Sequence, residues 1–362
     1  MSRKRRSKIT LLRRFSQGFF LFLFIWLFLR TTLIGENEVR SIGRLFLDLD
    51  PLVLLTTFLA SGTVLKGMLL ALLTVALTLV LGRVFCSWVC PLGTTFNLVS
   101  WLRREPARER LRTGVWNRWM RSKYLVLIGV LAAALTGLHL GGILDPIPLF
   151  YRTMTTSVYP AFVWGTDTLF TWFYNWDPGV GAVRITLLTE PVYAFLRDHA
   201  LPYDPIVYRG GVLIGLFFTG LIGLALLRFR FWCRYVCPLG ALLGVVAKVM
   251  RIEVHNDPEL CINCNACVLD CHGACDPHLP GEWKREECFV CFNCRDRCPV
   301  GAISFRWRLF GRVRTLLGPL PERPPKGEKP AADTRVSEVT AAGSPAGKKA
   351  AVGEGEERPP DA

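Results

Sequence analysis

At 362 residues, 51% of them hydrophobic, and with a mean hydropathy of +0.31, the chain is too apolar for an ordinary soluble protein of its size. The apolar excess is gathered in a few long runs, as in a membrane protein. A formal charge of +15 would point to nucleic acid in a soluble chain, but here the basic residues flank apolar spans and report topology, so no nucleic-acid partner is expected. Thirteen cysteines would suit a secreted disulfide scaffold, but their distribution argues against one. Nine of them crowd between Cys261 and Cys298, at gaps that suit ligands around one metal centre.

Residues 1–14 carry seven basic groups and no acid, and precede the apolar run that starts at Phe15. The start resembles a signal peptide, but no small-residue cleavage site follows, so an uncleaved first span is expected. Four segments approach the ~20 residues that a ~30 Å bilayer core demands: Phe15–Ile34, Thr63–Leu81, Lys123–Leu144 and Gly210–Leu227. The stretch Pro51–Ala60 is too short to span and is expected to dip into or lie on the membrane. Residues 145–208 read as an aromatic-rich loop at the interface, with Trp164, Trp172 and Trp176. Residues 83–123 hold nine basic groups against Glu105 and Glu109, whereas 145–208 hold three basic and six acidic groups. Positive loops stay inside, which puts both termini and the 83–123 loop in the cytoplasm. The fold class is therefore an α-helical membrane protein of about four transmembrane helices in two parallel repeats, followed by a C-terminal α+β bacterial ferredoxin-like domain. The membrane domain runs over 15–250, the ferredoxin domain over 251–306 with a strand at Arg251–His255, and a disordered tail over 319–362.

The ferredoxin segment contains one pattern twice. Cys261, Cys264, Cys267 and Cys271 recur as Cys288, Cys291, Cys294 and Cys298 at a constant offset of 27. Each tight loop supplies three thiolates to a cubane, and the fourth comes from the other run. One [4Fe–4S] cluster is thus assigned to Cys261, Cys264, Cys267 and Cys298, the other to Cys288, Cys291, Cys294 and Cys271. Structural zinc is the bland alternative, and three evenly spaced cysteines plus a fourth, twice over, disfavour it. Pro299 follows Cys298 as in the bacterial pattern, but His272 follows Cys271, and Cys275 is an alternative fourth ligand. His272 and His278 read as ordinary surface histidines.

A second duplication lies in the membrane part. Phe85-Cys86-Ser-Trp88-Val-Cys90-Pro91-Leu-Gly93 returns as Trp232-Cys233-Arg-Tyr235-Val-Cys237-Pro238-Leu-Gly240, at an offset of 147. Leu49-Asp50-Pro51-Leu52 and Leu144-Asp145-Pro146-Ile147 form matching turns expected on the opposite, outer side. Both halves run in the same sense, as in a parallel repeat about the membrane normal. Cys86, Cys90, Cys233 and Cys237 have three readings: a shared metal or iron–sulfur centre, a redox dithiol or transient copper site, or structural packing at helix ends.

Two Cys-x-x-x-Cys-Pro motifs followed by a two-cluster ferredoxin segment resemble the NapH-like membrane polyferredoxins, over about residues 10–306. That group includes quinol dehydrogenase subunits of periplasmic nitrate reduction, membrane regulators of nitrous-oxide respiration and copper-reducing assembly factors of cytochrome oxidase. The resemblance implies a multi-pass electron carrier of the bacterial inner membrane, exchanging electrons between quinone and a partner oxidoreductase, with quinol dehydrogenase activity as one role. Copper reduction would need a His- or Met-rich entry site, yet the five histidines and five methionines do not cluster. A redox sensor would need an output domain. No nucleotide-binding Gly-rich loop occurs, so NAD is not expected as substrate, and no catalytic residue is assigned.

Overall fold

The computed structural model describes residues 7–33, 44–64, 66–102, 107–138, 140–176, 179–180, 183–184, 186–199, 208–278, 283–309 and 312–318. The tail expected to be disordered, 319–362, lies outside the described residues, as do residues 1–6.

Helix α1, Lys8–Leu33, realises the first expected span. Among the described residues it is the one helix long and apolar enough to cross a membrane. The other three expected spans are corrected to shorter helices. Thr63–Leu81 becomes a 3-10 turn, Lys66–Leu70, that runs into α3, Ala71–Leu81, and α4, Pro91–Leu102, follows the first cysteine motif. Lys123–Leu144 becomes α5, Ser122–Leu135, interrupted at Gly137 and resumed at Gly141–Leu144. Gly210–Leu227 becomes α8, the 17-residue Gly211–Leu227. Glycines mark three of these limits with positive φ, which glycine adopts without steric cost: Gly82 (82°) after α3, Gly137 (81°) after α5, and Gly210 (88°) at the start of α8.

Pro51 and Pro146 each occupy the first turn of a helix, α2 (Pro51–Ser61) and α6 (Pro146–Thr153), with Asp50 and Asp145 at the N-caps. The aromatic segment is corrected from loop to helix over much of its length, with α7 at Tyr159–Trp176 and a further helix at Thr186–His199. Rings knit the helices together: Phe24 packs on Phe46 and Phe150 at 5.3 and 5.1 Å, and Phe150 on Phe218 at 6.1 Å. Small and hydroxylated residues such as Thr56, Thr74, Thr78, Ala71 and Ala134 are buried, while Leu125, Ile128, Val212 and Leu213 are 62–80% exposed.

The C-terminal part is a three-stranded antiparallel sheet, β1 (Ile252–Asn256), β2 (Ile303–Leu309) and β3 (Arg312–Leu317). Ile252 pairs with Trp307 and Asn256 with Ile303. Period-two alternation turns Ile252 and Val254 inward. The sheet carries the domain past the expected end at 306, because β3 pairs along β2. The cysteine loops fill the long connection between β1 and β2.

Candidate functional site

The 27-residue repeat is present in the backbone as well as in the cysteines. Asn263 and Asn265 in the first loop have φ of 54° and 53°, and Val290 and Phe292, their equivalents in the second, have 47° and 59°. Left-handed geometry costs a non-glycine residue about 1–2 kcal/mol, and for β-branched Val290 it is an outlier. Such a conformation persists where a surrounding site over-determines it. Both loops coil around a centre in the same way.

Cys261, Cys264, Cys267 and Cys298 line a single cavity, together with Asn256 and Ile303. The Cys298 Sγ accepts from the Ala302 amide at 3.2 Å. Three of these cysteines, Cys261, Cys264 and Cys298, are partly exposed, whereas Cys288, Cys291, Cys294 and Cys271 are all buried. Cys271 and Cys275 lie 3.6 Å apart, sulfur to sulfur, and Cys275 also reaches Cys288. The hydrogen bond from Cys275 brings the Cys271 thiol down to about 6 against the opposing effect of burial, and Arg234 assists. The same contact, with that to Cys288, pushes Cys275 well up. The contact stabilises a thiolate on one of the two sulfurs by a hydrogen bond from the other.

The four membrane-motif cysteines also come together. Cys86, Cys90, Cys233 and Cys237 share one buried core and act on one another electrostatically. They do not sit on one continuous helical face. Cys86 and Cys233 lie in single turns, Val84–Trp88 and Phe231–Tyr235, and the chain then breaks so that Cys237 caps α9, Pro238–Ala247, its Sγ accepting from the Gly240 amide at 3.2 Å. The motif glycines are needed for room. A Cβ on Gly93 would sit 2.7 Å from the Cys86 carbonyl oxygen, and one on Gly240 would sit 2.8 Å from Arg83 Nη2.

Buried arginines surround this quartet. Arg83 and Arg230 are 0% exposed and Arg234 is 2%. Arg230 donates to the carbonyls of Cys86 and Gly93 at 3.4 and 3.3 Å and to Asn97 Oδ1 at 3.0 Å. Arg83 lies within electrostatic reach of Cys86 and Cys237, and its Nε and Nη2 find no acceptor among the described residues. A set of four thiols with buried guanidiniums, two of whose donors are orphaned, suits an anionic thiolate-ligated group. Thiols are the donor type that iron–sulfur clusters take, while among the described residues no three Cys, His, Asp or Glu side chains converge closely enough to hold a single metal ion.

The buried ferredoxin set is docked directly on the quartet. Ser87 Oγ donates to the Phe289 carbonyl at 3.0 Å, and Trp88 Nε1 to the Val290 carbonyl at 3.3 Å. Arg234 donates to the carbonyls of Cys271 and His272 at 2.6 and 3.1 Å. The Phe289 ring, next in sequence to Cys288, packs in the quartet's core under Arg83 and Arg230, whose Cζ atoms lie 4.4 and 5.3 Å from its centroid. Behind it Glu287 accepts from Lys123 and, at 3.4 Å, from Arg83 Nη1.

Several of these residues escaped the sequence reading although a signal existed. Arg83 and Arg230 obey the same offset of 147 as the cysteines. His272 is corrected from a surface histidine: it is buried at 5% exposure, with Arg13 Nη1 at 3.2 Å and Asn293 Nδ2 at 3.0 Å from its ring nitrogens. In the two Leu-Asp-Pro turns, expected on the side opposite the cysteines, the aspartates and prolines are buried.

Paired cysteine loops on a small sheet define a ferredoxin-type iron–sulfur protein, and comparison with known proteins agrees. The family described as "4Fe-4S binding domain" matches twice, at residues 63–108 and 211–255; these are the stretches holding Cys86, Cys90, Cys233 and Cys237. An uncharacterised protein of Methanocaldococcus jannaschii is 24% identical over 303 residues, covering 83% of this chain and 88% of its own. The ferredoxin-type protein NapH of Escherichia coli is 28% identical over 274 residues, 71% of this chain and 75% of NapH. The methylamine utilization ferredoxin-type protein MauN of Paracoccus denitrificans is 27% identical over 239 residues, covering 64% and 62%. No solved structure matches. The chain is similar over most of its length to the NapH-like membrane polyferredoxins, and these likenesses support a role in electron transfer.

Proposed function

We propose that the chain carries three iron–sulfur sites in a row and passes electrons between membrane quinone and a partner oxidoreductase. The observation that carries this reading is the docking of the buried Cys288 loop on the Cys86–Cys90–Cys233–Cys237 quartet through Phe289. Bound clusters would supply one-electron chemistry at each set. The quartet and its arginines would hold the first, Cys288, Cys291, Cys294 and Cys271 the second, and Cys261, Cys264, Cys267 and Cys298 the third. The third set is the exposed one, so the partner would dock there. The match of a 4Fe–4S family to both quartet-bearing stretches favours a cluster over a dithiol or copper site.

A multi-pass membrane setting is supported by the exposure of Leu125, Ile128, Val212 and Leu213 on α5 and α8, helices that are apolar on their packed sides as well, at Leu127, Val130, Phe218 and Leu221. Surface of that kind suits lipid, since large apolar patches do not persist in water. The basic residues of 1–14 and 83–123 support a cytoplasmic position for the cysteine domain. The test is iron content and quinol-driven reduction in the purified full chain. About twelve iron atoms are expected, falling to about eight in Cys90→Ser/Cys237→Ser with both ferredoxin EPR signals kept. Reduction of those signals by quinol should be lost in that variant. Unchanged iron and unchanged reduction would demote the quartet to packing.

A further inference from the structure

A cavity of about 710 Å³ lies between α1, α4 and the cysteine domain, a size common among small-molecule sites. Thr10, Arg13, Gln17, Gly18 and Leu21 of α1 line one wall, at the three- and four-residue spacing of a single helical face. Thr94, Asn97, Leu98 and Trp101 of α4 line another in the same way. One end is polar, where Arg13 Nη2 donates to Asn293 Oδ1 at 3.0 Å beside His272. The rim is apolar, with Leu98 and Trp101 56 and 75% exposed. Cys271 of the buried ferredoxin set also lines the cavity, and Thr94 Oγ1 donates to the Cys90 carbonyl of the quartet at 3.1 Å. An occupant would thus lie against both thiol sets.

Two carboxamides give the cavity its hydrogen-bonding character. Gln17 Nε2 donates to the Ser87 carbonyl at 2.6 Å, which leaves Oε1 as an acceptor. Asn97 Oδ1 accepts from Arg230 Nε at 3.0 Å, which leaves Nδ2 as a donor. A carbonyl takes only a donor and a guanidinium only an acceptor, so neither amide can turn over. Gly18 adds room, since a Cβ there would meet nothing within 4 Å among the described residues. Glycine inside a helix is destabilising relative to alanine, and what its missing side chain provides here is space. The geometry points to this cavity as the binding site of a lipid-soluble quinone, with its ring between Gln17 and Asn97 and its tail leaving past Leu98 and Trp101. A quinone oxygen accepts from the Asn97 amide, and a hydroquinone hydroxyl donates to Gln17 Oε1. A phospholipid would match the apolar rim as well, but its phosphate is an acceptor alone and gains nothing from Gln17 Oε1 or from lying beside two thiol sets.

This inference rests on the quinone reading above, and the experiment separates the two. Full-length protein in phosphatidylcholine nanodiscs is photolysed with an azido-substituted decylbenzoquinone, and labelled peptides are identified by mass spectrometry. Label is expected around residues 17–21 of α1 and 97–101 of α4, displaced by excess decylbenzoquinone and not by phosphatidylglycerol. Gly18→Leu fills the cavity from an open position and should remove the label with iron content and melting temperature kept, whereas Gly18→Ala should retain it. Asn97→Asp keeps an acceptor for Arg230 and loses the donor. It should weaken the quinone about tenfold, the worth of one hydrogen bond, and the hydroquinone little. Label elsewhere in the chain, or label untouched by Gly18→Leu, overturns this site and leaves the quinone reading standing. Displacement by phosphatidylglycerol makes the cavity a lipid-headgroup slot and overturns the site too. Absence of any saturable label in the wild type, with no reduction by quinol, overturns the quinone reading itself.

Discussion

Glu287 is the residue whose replacement should loosen the site most for the smallest change in shape. Its carboxylate is 3% exposed and accepts from Lys123 and Arg83, both 0% exposed. Glu287→Gln keeps volume and an acceptor oxygen but leaves two buried cations without a counter-charge. Removing one partner of a buried ion pair costs about 3–5 kcal/mol. Because 1.4 kcal/mol is tenfold, the opening of the Cys288 loop away from α5 should become more frequent by about 10²-fold or more. Native-state hydrogen exchange at residues 287–291, or proteolysis under conditions of fast reclosure, reads that population directly. The double variant Lys123→Met/Glu287→Gln removes one of the stranded cations and should recover a large part of the loss. If Glu287→Gln changes exchange by less than tenfold, or the double variant is no better than the single, the ion pair does not hold the domain on the quartet.

Three further outcomes follow from the geometry. Cys264→Ser should remove about four iron atoms and one EPR signal while the buried set keeps its own; zinc without iron in anaerobic wild type would refute the cluster assignment. Cys271→Ser should abolish the buried ferredoxin cluster, whereas Cys275→Ser should retain it, and the reverse pattern would make Cys275 the ligand. Because the contact with Cys275 lowers the Cys271 thiol, iron loading of this set should weaken as pH falls and the thiolate is lost. In Cys275→Ala the thiol rises again, so loading at pH 7 should slow, and equal rates would remove the donor role. Arg83→Gln withdraws a buried positive charge from Cys86 and Cys237, so the quartet's potential should fall in a redox titration, and an unmoved potential would assign Arg83 to packing alone.

What the sequence made legible and what it hid divide on physical lines. The cysteine repeats could be read because their spacing is linear information. The offset of 27 even extended to the left-handed pairs at Asn263–Asn265 and Val290–Phe292. Four apolar segments were found at their correct positions, but two of them were not continuous helices: the second opens as a 3-10 turn at Lys66–Leu70 and the third breaks after Leu135, with Gly137 at φ 81°, backbone choices that hydropathy does not register. The strand β3 was missed because Arg312–Leu317 mixes charge with apolar residues and pairs on an already formed edge. His272 was misjudged because its burial depends on Arg13, 259 residues away, a contact with no local trace. Glu287 and Lys123 fell outside every motif for the same reason.

The repeat itself explains why these long-range contacts gather at one place. A parallel duplication brings equivalent residues toward a common axis, and here cysteines, arginines and aspartates all arrive in pairs. The two arginines have since diverged in use. Arg230 spends its donors on the carbonyls of Cys86 and Gly93 and on Asn97, all in the opposite repeat, so it clamps the two halves together. Arg83 turns instead to Glu287 and the Glu286 carbonyl at 2.9 Å, and so faces the ferredoxin domain. A symmetric pair would bind a symmetric group equally from both sides. The divergence commits one side of the quartet to the Cys288 loop, through the ring of Phe289 held under both guanidiniums. An electron carrier built from duplicated halves needs an asymmetry of this kind, because the ferredoxin domain is present once and can dock on one side only.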